Sequence, residues 1–179
     1  MAFNLIHSQV IHQGRVFTLR CDQVQLPDGN TAHLDIIAHG GAVTLVPVDE
    51  QNRIWFVRQY RHAAGETLLE LPAGTIDHGE DPAVCAAREL REEIGMAAGL
   101  LERIGEFFLA PGYSTEFMRI YLATGLHPNP GKPDSDEFLE VVAIPVDEAF
   151  MLASKGRIRD AKSLAALFLA RPYLSAHAR

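Results

Sequence analysis

Cysteine is scarce in this chain: two among 179 residues, Cys21 and Cys85. Two thiols so far apart give no disulfide framework and no paired zinc-site spacing. Both are expected as buried thiols in a reducing compartment, the cytoplasm. Basic charge is also short, with 16 Lys and Arg against 23 Asp and Glu and a net charge of −7. A nucleic-acid surface needs a basic patch to meet phosphates, so nucleic acid is not an expected partner. No apolar run approaches the roughly 20 residues of a membrane span, so no membrane partner is expected either. The opening MAFNLIHSQV has neither the cationic start nor the long apolar stretch of a signal peptide. There is no low-complexity tract, no internal repeat, and no metal-ligand spacing among the eight histidines. What is present is ordinary for one globular domain with a sizeable core: 47% hydrophobic and 22% charged residues.

Read in order, the first third is strand-like. Residues 3–12 alternate weakly and suggest an edge strand. VFTLRCDQVQL (16–26) alternates better, LPDGN turns at Asp28-Gly29, and TAHLDIIA (31–38) returns as its hairpin partner. After the His39-Gly40-Gly41 break, AVTLVPV (42–48) is a continuous apolar strand, IWFVRQYR (54–61) the next, and TLLEL (67–71) another. LERIGEFFLA (101–110) and STEFMRIYLA (114–123) read as two more, separated by Pro111-Gly112.

The chemistry concentrates between Glu70 and Met96, in ELPAGTIDHGEDPAVCAARELREEIGM. Asp81 suits an N-cap, Pro82 the first helical position and Gly95 the far end, so a helix is expected over 82–94. Ala83, Ala87, Leu90 and Ile94 recur at helical spacing as a narrow apolar stripe. Glu89 and Glu93 are four residues apart and stand one above the other on a different face. Glu92 projects beside them, one turn above Arg88, with which it can pair. Stacked like charges repel and either weaken the helix or raise a carboxylate pKa unless a cation sits between them. A hard divalent cation is the natural remedy, and Mg2+ typically takes one or two carboxylates together with substrate phosphates and waters. On its own, RELREE reads as a solvated helix face laced with ion pairs. The loop before it changes that reading.

Gly74, five residues, Glu80, seven residues, and then Arg88-Glu89-Leu90-x-Glu92-Glu93-x-Gly95 with an apolar Met96 is a long pattern with every fixed position filled. It resembles the Nudix box (74–96), the signature of hydrolases that cleave a nucleoside diphosphate linked to another group. The resemblance implies a loop-helix-loop that binds Mg2+, or Mn2+, against a pyrophosphate. It assigns Glu89 and Glu93 as principal metal ligands, Glu92 as a ligand directly or through water, and the Ala73 carbonyl as a backbone ligand. Arg88 would orient the carboxylates and Glu80 would support the cluster.

A diphosphate needs cations that the metal does not supply. Arg58 and Arg61 flank Tyr60 at the end of a strand that leads to the box, and the planar arginine fork suits phosphate oxygens. Arginine at a strand end is often only a surface ion pair; of the two, Arg61 is preferred as the clamp. Further on, APGYSTE places Pro111 sixteen residues after Gly95 and Glu116 five later. Loops leaving a sheet beside a metal site can hold a general base. Glu116 is the candidate base and Glu137, in the acidic stretch 134–141, the runner-up.

Pro111 in its P-G-x-x-x-E context and the LELPAG lead-in that contains Glu70 are similar to the ADP-ribose pyrophosphatase branch of the Nudix family. So is the tail, where Gly156, Ile158, Asp160 and Ala161 precede a last helix. That branch implies a mixed β-sheet in an α/β/α sandwich, of the α/β (α+β) class, with an N-terminal β-hairpin extension. It also implies a homodimer in which the N-terminal strands reach the partner's site. The expected organisation is 1–40 as N-terminal strands for dimerisation and 41–179 as the hydrolase domain. The expected reaction is Mg2+-dependent hydrolysis of ADP-ribose to AMP and ribose 5-phosphate, with Glu70, Arg58, Tyr60, Arg61 and Pro111 among the substrate contacts. A GDP-mannose or other nucleoside diphosphate sugar pyrophosphatase is the alternative. A dinucleotide hydrolase lacks its extra motifs here, and a sensor that binds without cleaving would have lost box carboxylates.

Overall fold

A computed structural model describes residues 2–132 and 138–174. The chain divides into two compact units: residues 1–41 with 107–117, and residues 42–106 with 118–179.

In the first unit, β1 (Asn4–Gln13), β2 (Phe17–Gln25) and β3 (Thr31–His39) form an antiparallel sheet in that order. The hairpin turn falls where the Asp28-Gly29 pair predicts, with Gly29 at φ 88° and Asp28 accepting from the Asn30 N–H. Residues 110–116 join this unit rather than extending a strand. The Ile37 N–H donates to the Tyr113 carbonyl at 2.8 Å and the Thr115 N–H donates to the Ile37 carbonyl at 3.0 Å. The Glu116 N–H is held by Ser114 Oγ at 3.1 Å. The strand expected from 114 therefore begins at Phe117. The expected strand's first residues are Ser114, whose Oγ accepts the Glu116 N–H, and Thr115, whose Oγ1 accepts the His39 N–H; such side-chain-to-backbone bonds compete with a strand ladder.

The second unit holds the larger core. A mixed sheet runs β7 (Ala73–Thr75), β4 (Ala42–Pro47), β10 (Phe117–Thr124), β9 (Leu100–Phe108), with β4 and β10 parallel. An antiparallel sheet runs β12 (Leu139–Pro145), β5 (Arg53–Arg61), β6 (Glu66–Glu70), and the short strands β8 (Met96–Ala97) and β11 (His127–Pro128) pair beside them. Among the described residues three helices complete the unit: α1 (Pro82–Ile94), α2 (Val146–Ser154) and α3 (Ala161–Leu174). Strand β4 is buried at every residue, Thr44 included, as its largely apolar run favours, and both α1 and α3 pack on it. The core under α1 is built from Val43, Leu45, Val57, Cys85, Ala86, Leu90, Ile94, Tyr121 and Ala123.

Helix α1 has the boundaries that its caps predict. Asp81 accepts from the Ala83 N–H, Pro82 opens the helix, and Gly95 closes it in the left-handed region at φ 71°. Its core stripe is displaced from the expected one. Cys85, Ala86, Leu90 and Ile94 are buried, Ala83 is exposed and Ala87 only partly covered. Cys85 is larger than either alanine, and with Ala86 it takes the place of Ala83 and Ala87 in the buried arc. That displacement carries Glu89 and Glu93 to the buried margin as well.

Candidate active site

The helix α1 and the loop before it create one acidic cluster. Glu89 and Glu93 are only 7% and 6% exposed, unusual for carboxylates without close partners. Arg88 compensates Glu89. Its Nη1 reaches Glu89 at 2.6 Å and Glu92 at 2.9 Å, the latter being the i,i+4 pair that the spacing predicts. Nε and Nη2 both bond Glu80 at 3.0 Å, and Nη2 also donates to the Thr75 carbonyl. Glu80 accepts from the Asp77 N–H too. Arg88 thus staples the helix to its own loop. Its hydrogen bonds to Glu80 raise the guanidinium further above its ordinary value and hold the Glu80 carboxyl at about 2.

Gly74 matters here for space rather than for backbone freedom. A Cβ at that position would lie 1.9 Å from the Glu89 carboxylate carbon. Only hydrogen lets the carboxylate lie against the loop. Glu93 reaches the same loop, with its Oε2 accepting from the Ala73 N–H at 3.1 Å. Ala73 therefore sits beside the carboxylates. Cys85, inside this cluster, is held as a neutral thiol: burial, with the charges of Glu80 and Glu89, pushes it up to about 12. It is no nucleophile at neutral pH.

The donor chemistry fits a hard divalent cation. Four carboxylates share the helix and loop, and Arg88 is the guanidinium set among three of them. Among the described residues, no three acidic, histidine or cysteine side chains form a ready-made metal cage. Arg88 draws Glu80, Glu89 and Glu92 to itself, while Glu93 turns to Ala73.

Beside this cluster lies a second one. Glu70, at the end of β6, is 1% exposed. Arg61 grips it with two parallel bonds, Nε to Oε1 at 2.9 Å and Nη2 to Oε2 at 2.8 Å. Lys162 Nζ, from α3, bonds the same carboxylate and also Asp160 at 2.8 Å. Burial alone would raise the Glu70 carboxyl, but the Arg61 hydrogen bonds and the Lys162 charge outweigh it and hold it below its usual value. Asp160 caps α3 through the Ser163 N–H at 3.0 Å, and the Leu71 N–H donates to Ser163 Oγ at 2.7 Å. The sequence pointed to Arg61 and Glu70 separately, and to Asp160 only within a tail pattern. Lys162 was missed, because nothing local marks a lysine at a helix start as buried.

Strand alternation sorts the three substrate-contact candidates on β5. Arg61 lies on the side of Trp55 and Val57, which pack with α1, and within electrostatic reach of Glu93. Arg58 and Tyr60 lie on the opposite side. Arg58 lines a cavity of about 470 Å³ with Glu148, Leu152 and Arg157, and it faces Glu140 at 3.9 Å. The structure therefore brings Arg61 and Glu70 together with the box and does not bring Arg58 or Tyr60 there. Pro111 and Glu116 belong to the first unit, where Pro111 is exposed and Glu116 half-buried. Glu137 lies outside the described residues.

With this geometry in hand, known proteins add an independent finding. The NUDIX domain family pattern matches residues 38–167, and the nucleoside diphosphate sugar hydrolase N-terminal domain matches residues 4–33. An ADP-ribose pyrophosphatase from Mycobacterium tuberculosis is 40% identical over 91% of this chain and 80% of its own length. A methanol dehydrogenase activator from Bacillus methanolicus is 37% identical over 90% of this chain and 89% of its own. A GDP-mannose pyrophosphatase from Enterobacter sp. is 31% identical over 69% of each. A crystal structure of an ADP compounds hydrolase superposes with a TM-score of 0.88 at 26% identity, covering 100% of this chain and 97% of that one.

Proposed function

Since the chain belongs to the Nudix family and is a Nudix hydrolase with the α/β sandwich fold, we propose that it hydrolyses the P–O–P link of ADP-ribose, giving AMP and ribose 5-phosphate. The observation that carries the reading is the gathering of Glu80, Glu89 and Glu92 around the Arg88 guanidinium at the Gly74 loop, with Glu93 on the Ala73 N–H and Arg61 alongside. Similarity to an ADP-ribose pyrophosphatase extends over nearly the whole chain, which favours this substrate over a GDP-sugar. The match of residues 4–33 to an N-terminal domain of nucleoside diphosphate sugar hydrolases keeps such sugars as the second reading.

Mg2+, or Mn2+ in its place, would be held by Glu89, Glu93, Glu92 and the Ala73 carbonyl, with Glu80 in support, and such an ion screens the charge of a diphosphate and acidifies nearby water. The chain's own residues do the rest. Glu89 and Glu93 are pre-placed, one by the space Gly74 leaves and one by the Ala73 N–H. Arg88 limits how far Glu89 and Glu92 swing apart, keeping the cluster compact in the absence of substrate. Arg61 presents a fork to the diphosphate, offsetting charge that would repel the attacking water. A Glu116 carboxylate oxygen takes the proton of that water, an assignment resting on the family resemblance, with Glu137 next in line. Pro111 shapes the loop that carries Glu116.

The proposal extends to assembly. Strand β1 is exposed along its whole length, with Leu5, Ile6, Val10 and Ile11 all open to solvent. A long apolar edge strand of this kind is an aggregation hazard unless another chain covers it. We take residues 1–40 as the dimerisation element of a cytoplasmic homodimer, with 41–179 as the hydrolase domain.

The decisive experiment incubates the purified protein with Mg2+ and, separately, ADP-ribose, GDP-mannose, NADH and diadenosine polyphosphate, and resolves the phosphate products. AMP released fastest from ADP-ribose and abolished by EDTA is the expected result. Faster release from GDP-mannose would move the enzyme to the second reading. Binding of ADP-ribose without cleavage would make it a sensor and defeat the catalytic reading.

A further inference from the structure

Glu70 is almost completely buried and is held from two sides. Arg61 takes it with Nε and Nη2, the side-on edge of the guanidinium. This leaves the Nη1 side of a five-donor fork turned away from the carboxylate. Lys162 arrives from α3, a buried cation at 9% exposure, and bonds both Glu70 and Asp160. The start of α3 is fixed in turn by Asp160 and Ser163, and Ser163 accepts from the Leu71 N–H two residues before Ala73. The start of α3, the end of β6 and the Ala73 segment that bonds Glu93 therefore form one bonded path, and Arg61 lies within the field of Glu93.

The second cation has a physical consequence. A buried carboxylate bound by arginine alone would neutralise that arginine and draw it inward. With Lys162 and Arg61 both present, the charge of Glu70 is shared and Asp160 balances the lysine. Arg61 then keeps part of its positive field for an outside anion, and its plane is fixed by two parallel bonds.

We propose that Lys162 is a positioning residue for the diphosphate clamp: by co-holding Glu70 it sets the orientation and residual charge of Arg61, whose outer edge takes a nucleoside diphosphate. The inference rests on the reading of this chain as a nucleoside diphosphate hydrolase, and it holds whichever sugar is attached.

The test is a double-mutant cycle of Lys162→Met with Arg61→Ala, read by calorimetric binding of ADP in EDTA, so that neither turnover nor a bound ion enters. Wild type binds ADP, and Lys162→Met weakens binding about tenfold, whereas in the Arg61→Ala background the same change costs under about twofold because the two groups act as a unit. Lys162→Gln, which retains a hydrogen-bond donor for Glu70, gives an intermediate loss and replaces Lys162→Met if circular dichroism shows that variant unfolded. With ADP-ribose and Mg2+, KM rises more than kcat falls, a split that general loosening of the fold would not produce. Equal losses in both backgrounds, no loss at all, or a wild type that does not bind ADP each overturns the proposal. If the cycle shows coupling while no substrate in the panel is cleaved, the hydrolase reading fails and Lys162 keeps its role as a positioner.

Discussion

Around Arg88 one guanidinium faces three carboxylates, whereas around Glu70 one carboxylate is shared by two cations. The first cluster carries surplus negative charge and lies partly open on the helix and loop. The second is balanced once Asp160 is counted, and its central carboxylate is sealed from water. Surplus charge of one sign is a cost that a protein carries where an outside ion of the opposite sign is to arrive. Balanced, buried charge holds a shape. On the proposed reading, the first cluster receives the ion and the second holds Arg61 in place for the diphosphate.

The sharpest way to break this contrast is Glu93→Gln. It removes one negative charge from the surplus cluster yet keeps an oxygen to accept the Ala73 N–H. A fall in kcat of about 10³-fold with an unchanged thermal transition is expected; near-wild-type turnover would show that the surplus has no catalytic purpose. Glu116→Gln, outside both clusters, should lower kcat by about 10²-fold and leave Mn2+ affinity alone. If its rate is unchanged, the base lies elsewhere, Glu137 first. Gly74→Ala pushes a methyl group into the Glu89 carboxylate, 1.9 Å away. The displaced side chain should cost about tenfold in kcat while Tm moves by less than about 3 °C; a Tm loss with kcat intact would make the glycine structural.

Glu70→Gln is expected to act mainly on stability. It leaves Arg61 and Lys162 facing each other without the charge between them, a loss of about 2 kcal/mol in urea unfolding, with the effect on kcat the smallest of the four. The pH dependence has a definite sign. The folded Glu70 carboxyl lies below its ordinary value of 4.5. Its stabilising contribution is therefore complete above that pH and is lost as pH falls toward the lower folded value. Wild type should lose stability below pH 4.5 more steeply than Glu70→Gln; parallel curves would remove Glu70 as the source.

The legible parts of this protein were the local ones. The caps of α1, the Arg88–Glu92 pair, the hairpin at Gly29 and the buried strand β4 all follow from neighbours within a turn or a strand. Strand β12 was not read, because an acidic lead-in masks the start of LEVVAIP. The extension of β10 to residue 114 failed because Thr115 bonds the backbone of His39, 76 residues away in the chain, which no local pattern reveals, while Ser114 Oγ takes the Glu116 N–H in a local turn.

By itself the sequence determined that four carboxylates would cluster on one loop and helix, because helical spacing and caps are set by residues three or four apart. Tertiary structure decided which of them are buried, since Cys85 rather than Ala83 and Ala87 turned to the core and rotated Glu89 and Glu93 inward. It also decided between the two arginines of β5. Their alternation was readable, but which side faces α1 depends on how sheet and helix pack. The bond from Lys162 to Glu70 spans 92 residues. Such a contact exists only once the start of α3 docks on the end of β6, because only packing brings such distant residues within hydrogen-bonding range.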